Sequence, residues 1–124
     1  MSKKILVADD EPNIVISLEY LFKREGYTVL VARDGQEALD SITREKPDLV
    51  LLDVMMPIKT GLEVLQAVRA SDELRPTKIL MLTAKGRDTD ITKGLALGAD
   101  AYMTKPFSTR ELVEKVADML AGSP

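Results

Sequence analysis

The chain has 124 residues, 45% hydrophobic and 30% charged, which fits one compact domain with a full core. A formal net charge of -3 gives no general electrostatic attraction to nucleic acid or anionic membrane. With no cysteine and no histidine, it has no disulfide, no thiolate or imidazole metal cluster and no phosphohistidine relay of its own.

Five short apolar runs alternate with five longer amphipathic segments. The first run, 5–8, is too short for a signal peptide. After it Ile14, Leu18, Leu21 and Phe22 recur at helical spacing, with Pro12 early and Gly26 as a stop. Run 28–32 leads to a helix opening at Asp34 and carrying Ala38, Leu39 and Ile42 before Pro47. Run 49–52 leads to a third helix from about Gly61 through Leu62, Leu65 and Val68 to Pro76. Run 79–82 precedes a fourth helix over roughly 87–97, ending at Gly98 as a left-handed cap. Beyond run 101–103, Ser108 and Glu111 read as a capping box ahead of Leu112, Val116 and Leu120. Residues 121–124 read as a frayed end.

The apolar runs lack polar alternation, as strands covered on both faces do. Strict β-α alternation therefore predicts an α/β fold over residues 1–124. It is a doubly wound five-stranded parallel sheet, with right-handed crossovers and helices on both faces. No stretch approaches the roughly 20 apolar residues of a membrane span, so a soluble, cytoplasmic protein is expected.

The polar exceptions to this pattern carry the chemistry. Asp9-Asp10, Asp53, Thr83 and Lys105 each follow an apolar run. The carboxyl ends of parallel strands open onto one crevice, where ligands bind. Acids after strands are most often helix caps or turn formers, and Asp9 or Asp10 can do that ahead of Pro12. Three acids converging is a different matter. Two carboxylates at about 4 Å repel by roughly 4 kcal/mol at an effective dielectric near 20. A bound Mg²⁺ removes that penalty, taking carboxylates, waters and a substrate phosphate. Asp53, ending a buried strand, is held firmly enough to attack phosphorus and become an acyl phosphate. Thr83 offers a hydroxyl and Lys105 a point charge to the phosphoryl oxygens. Singly, Thr83 reads as a β-former and Lys105 as a surface lysine; together with the acids they make a phosphoryl and divalent-metal site.

Four segments, ILVADDEP (5–12), DLVLLDVMMPIKTG (48–61), MLTA (81–84) and GADAYMTKPF (98–107), resemble the receiver domain of bacterial two-component response regulators. The resemblance covers about residues 4–120 and implies the strand order 2-1-3-4-5, which sets Asp9 and Asp10 beside Asp53. It further implies that Asp53 is the phosphoacceptor and that Asp10, Asp53 and the Met55 carbonyl bind Mg²⁺, with Asp9 acting mainly through water. Lys105 and Thr83 then contact the phosphoryl group, and Tyr102 is the aromatic of the switch. Lys105-Pro106 matches the family's cis peptide. The implied donor is a sensor histidine kinase or a histidine phosphotransfer protein, and the implied output is a downstream effector protein or domain. The domain is expected to catalyse only its own phosphorylation and dephosphorylation, and to touch neither nucleic acid nor membrane directly.

Rival readings fit less well. A dinucleotide-binding domain needs a glycine fingerprint where ADDEPN (8–13) stands. An aspartyl-phosphate hydrolase of the haloacid dehalogenase type typically carries a second acid two places after the nucleophile, where this chain has Met55. A phosphorylation-independent binding module is the third, yet every acidic and basic site residue is present. Receivers that drive winged-helix DNA-binding partners typically dimerise through the fourth helix, fifth strand and fifth helix. Glu111, Lys115 and Asp100 suit that charge network, but Ile91 replaces an expected base and Ala101 an expected acid. Those departures favour a single-domain regulator, monomeric or weakly dimeric when phosphorylated. By the same resemblance Met55 and Lys85 lie nearest the hydrolytic water, and neither assists it, so a long-lived acyl phosphate is expected.

Overall fold

The computed structural model describes residues 3–84 and 86–121; Lys85 and the end of the expected frayed tail lie outside them. The element order is β1 (Lys4–Ala8), α1 (Pro12–Arg24), β2 (Thr28–Ala32), α2 (Gly35–Glu45), β3 (Leu49–Asp53), α3 (Gly61–Ala70), β4 (Lys78–Ala84), α4 (Asp88–Ala96), β5 (Ala101–Lys105) and α5 (Thr109–Leu120). All strand pairs are parallel, in the order β2-β1-β3-β4-β5. This is the expected flavodoxin-like arrangement.

Strand periodicity divides the core into two layers, because successive side chains point to opposite faces. Ile5, Val7, Leu49, Leu51, Leu80 and Leu82 pack with Leu18 and Phe22 of α1 and Leu112 and Val116 of α5. Leu6, Ala8, Val50, Leu52, Ile79 and Met81 pack with Ala38 and Ile42 of α2 and Val64, Leu65 and Val68 of α3. Burial on both faces holds for β1, β3 and β4, whereas β2 and β5 remain partly exposed. Those two are the sheet edges, where one side has no neighbouring strand to cover it. Among the described residues no helix is long and apolar enough to cross a membrane.

Several helix ends follow the expected chemistry. The Asp34 carboxylate accepts from the Glu37 N–H, and the Ser108 hydroxyl from the Glu111 N–H. Gly98 turns at φ +106° after α4, as its predicted cap role requires. The complete capping box lies at α3, where Thr60 accepts from Glu63 N–H at 3.2 Å and Glu63 accepts from Thr60 N–H at 2.9 Å. That helix ends at Ala70, short of the expected Pro76, where the backbone of Ser71 turns extended at φ -99° and ψ 121°, and Arg69 in its last turn has a role of its own. Its guanidinium donates to the carbonyls of Gly98, Arg75 and Thr77 at 2.7–2.8 Å and to Asp100 Oδ2 at 2.9 Å. Asp100 Oδ2 also accepts the Ile79 N–H at 2.7 Å. One side chain thus ties the end of α3 to the starts of β4 and β5.

The β3–α3 loop contains Ile58 at φ 72°, with Lys59 N–H donating to Pro57 O at 2.8 Å. A hydrogen bond spanning three residues at positive φ is a γ-turn of the rare, strained kind, and a β-branched residue is poorly suited to it. Ile58 is 75% exposed, so packing of its side chain does not offset the strain. Ile58→Asn, which tolerates this region, is expected to stabilise the fold by about 1 kcal/mol. Chemical denaturation checks this; an unchanged or lower midpoint would show that the turn is not strained.

Candidate functional site

The crevice at the carboxyl edge of the sheet gathers the predicted residues. Asp53 and Lys105 are the last residues of β3 and β5, and Thr83 is next to last in β4, so all three are fixed by strand pairing rather than by loops. Asp9 and Asp10 follow β1 directly. One ligand oxygen from each of Asp9, Asp10 and Asp53 lies within 4.8 Å of the others. Asp9 is fully buried and Asp53 is 6% exposed, while Asp10 faces solvent. Asp9 also serves the turn, as its Oδ1 accepts the Glu11 N–H at 2.9 Å. The turn reading of that residue therefore holds, and its place in the carboxylate cluster is compatible with it.

Lys105 is half-buried rather than a surface lysine. Its ammonium donates to Asp9 Oδ2 at 2.8 Å and stands 3.5 Å from Asp53 Oδ1. Burial pulls the Lys105 ammonium down, but the bond to Asp9 and the fields of Asp53 and Asp9 outweigh it and raise it overall. For Asp53 the balance runs the other way. Burial first, then the nearby Asp9, push its carboxyl up to about 6, and Lys105 and the Met55 N–H only partly oppose them. A cluster of hard oxygen donors with one carboxylate raised by burial and like charge is under-neutralised, and it fits a divalent cation of the Mg²⁺ type.

Thr83 is 1% exposed, and its hydroxyl makes only a long 3.4 Å bond to the Ala84 carbonyl. That leaves the group free to take a better acceptor. Tyr102 pairs with Met81 in the β4–β5 register, so it shares with Thr83 the sheet face that α4 lies over, and it is 43% exposed. Met55 on the rim is 52% exposed, and its N–H donates to Asp53 Oδ1 at 3.4 Å. Lys105-Pro106 is cis, as the resemblance implied. The charge network of the disfavoured dimer is thinner still than its residue types suggest, since Asp100 is already engaged within the chain by Arg69 and Ile79. Sequence reasoning missed Gly61, where a Cβ would lie 2.2 Å from the Asp53 carbonyl oxygen; it read that glycine only as a helix start.

The response regulator receiver domain family matches residues 5–117. The alkaline phosphatase synthesis transcriptional regulatory protein PhoP of Bacillus subtilis (strain 168) is 52% identical over 123 residues, or 99% of this chain. The chain spans about half, 50%, of that relative's length. A putative response regulator from Chloroflexus aurantiacus superposes with a TM-score of 0.92 at 35% identity, covering 98% of this chain and 99% of that one. The receiver domain of a sensor histidine kinase from Pseudomonas aeruginosa PAO1, solved with a magnesium ion coordinated in its active site cleft, gives 0.90 at 28% identity, over 98% of this chain and 100% of that one. A match running from β1 into α5, with solved receivers that superpose over nearly the whole chain, establishes that this chain belongs to the response regulator receiver domains of two-component systems.

Proposed function

We propose that the domain is a phosphorylation-driven signalling switch with Asp53 as its phosphoacceptor. The observation that carries this reading is the Asp9–Lys105–Asp53 arrangement at the strand ends, with both carboxylates buried. Lys105 holds an ammonium beside the nucleophile, and the acids beside it are arranged for a cation. An Asp53 oxygen attacks the phosphorus of a phosphohistidine or small acyl phosphate, and the bond from phosphorus to the donor breaks with its electron pair leaving on the donor. Asp10, Asp53 and the Met55 carbonyl would hold Mg²⁺, with Asp9 acting through water. When bound, the ion supplies neutralisation of the nucleophile and of the phosphoryl oxygens. Lys105 takes one phosphoryl oxygen, and Thr83 turns its hydroxyl from the Ala84 carbonyl to another. Tyr102, on the same sheet face, then shifts and alters the surface of α4, β5 and α5. The donor is a histidine kinase or histidine phosphotransfer protein, and the output is docking to an effector. A multiple-turnover hydrolase is disfavoured, since Met55 stands where a second acid would act.

With acetyl phosphate and Mg²⁺, intact-mass measurement is expected to show one phosphoryl group, lost in Asp53→Asn. Amide shifts should spread to α4 and β5. Full labelling of Asp53→Asn would sink the assignment, and shifts confined to the site itself would sink the switch.

A second expectation concerns pH in the metal-free protein. The Asp53 carboxyl is raised from 3.8 to about 6, so folding favours its protonated form. That contribution is fully present below pH 4 and is lost as pH rises through about 6. It amounts to roughly 3 kcal/mol or less at 1.36 kcal/mol per pK unit. In EDTA the wild type should therefore lose stability relative to Asp53→Asn between pH 4 and 7. Mg²⁺ at 100 times its dissociation constant should restore about 2.7 kcal/mol. Parallel pH profiles of the two proteins in EDTA would contradict this.

Hydrolysis of the acyl phosphate is expected to be slow, because the Met55 thioether is a poor hydrogen-bond partner for an in-line water. Met55→Asn or Met55→Glu should speed phosphate loss several-fold. If neither does, position 55 does not limit the rate.

A further inference from the structure

The β3–α3 loop is closed at both ends and pressed against α2 in its middle. Gly61 N–H donates to the Val54 carbonyl at 2.8 Å, which fixes the two ends of the loop to each other. In between, the Met56 side chain is buried in the core layer that includes Ala38 of α2. The Pro57 carbonyl accepts from both Lys59 N–H at 2.8 Å and Gly35 N–H at 3.2 Å. The tight turn at Ile58 then carries the Lys59 carbonyl onto Gly35, where a Cβ would lie only 1.9 Å from that oxygen. Gly35 is not at a positive φ, so space rather than backbone conformation demands glycine there.

We infer that Gly35 is a positioning residue for the cation site, acting through this loop; the inference rests on the Mg²⁺ reading above. Alanine at 35 suits a helix better than glycine does, so its effect is steric and not conformational. To clear its Cβ, the Lys59 carbonyl must retreat from 1.9 Å to at least 3.0 Å, about 1 Å of movement. With the ends tied, the short loop passes that movement to residues 55–57 and so to the Met55 carbonyl. Mg²⁺ holds its oxygen ligands at about 2.0–2.1 Å in near-octahedral geometry, so a ligand displaced by this much is lost or replaced by water. Gly35 touches no ion and is not a catalytic residue. It sets where one ligand stands.

The test is a Mg²⁺ titration followed by amide NMR and by thermal melts with and without EDTA. In wild type, the Gly35 and Met55 amides should move with one midpoint. Gly35→Ala should bind Mg²⁺ about tenfold more weakly, whatever its stability in EDTA. Adding Ile58→Gly, which frees the turn to absorb the displacement, should recover part of that affinity. A Gly35→Ala protein that binds Mg²⁺ as wild type does would overturn the inference, even if it melts earlier in EDTA. If Gly35→Ala does not fold, the wild-type spectra decide, and a Gly35 amide that stays still while Met55 moves overturns it. A wild type with no Mg²⁺ response at any amide would instead overturn the cation reading itself, and the positioning role with it.

Discussion

The contact between the Lys105 ammonium and two buried carboxylates is the constraint around which this crevice is organised. Asp9 is fully buried, and a buried charge needs both a partner and hydrogen bonds. Lys105 meets it at 2.8 Å across 96 residues of sequence, and Glu11 N–H completes the other oxygen. Only a parallel sheet that places β1 two strands from β4, with β5 beyond, brings those groups together without a long loop. Asp53 is the member left short. It shares Lys105 at 3.5 Å and lies beside Asp9, so it enters the fold as an electrostatic liability. Nucleophiles and cation ligands are commonly placed in such surroundings.

The remainder of the molecule holds that edge in register. The apolar layers above and below β1, β3 and β4 fix the strands. The loops are fastened by backbone contacts of unusual closeness. Gly61 lies against the Asp53 carbonyl and Gly35 against that of Lys59. At the opposite edge of the sheet, Arg69 and Asp100 fasten the starts of β4 and β5. A packed scaffold with short, pinned loops is what holding a constellation to fractions of an ångström demands.

Much of this was legible in the residues. The central strands were readable because uninterrupted runs of Ile, Leu and Val have few other uses in a chain of this size. The site was readable because Asp9, Asp53 and Lys105 are polar at the places where those runs stop. What stayed hidden depends on contacts between distant residues. Nothing local marks Arg69, whose four oxygen partners include two from 29 and 31 residues away. Gly35 carried no signal of its own, since nothing local says that a carbonyl from residue 59 will occupy its Cβ position. Exposure of β2 and β5 follows from strand order, and spacing alone did not supply that order. Asp100 was recognisable as a charge but not as one already engaged.

The weak seating of α4 has a consequence for local stability. Gly94 is the one buried residue of this nine-residue helix, and Arg87 at its start makes no side-chain cap. Just past its other end, the Gly98 carbonyl is gripped by Arg69. A segment with so little buried surface sits at the low end of a protein's range of opening free energies. Its amide hydrogens are therefore expected to exchange with solvent through brief unravelling of the first turn, with the pinned end better protected. Rearranging α4 then leaves the sheet undisturbed, as a hinged flap swings on a fixed frame.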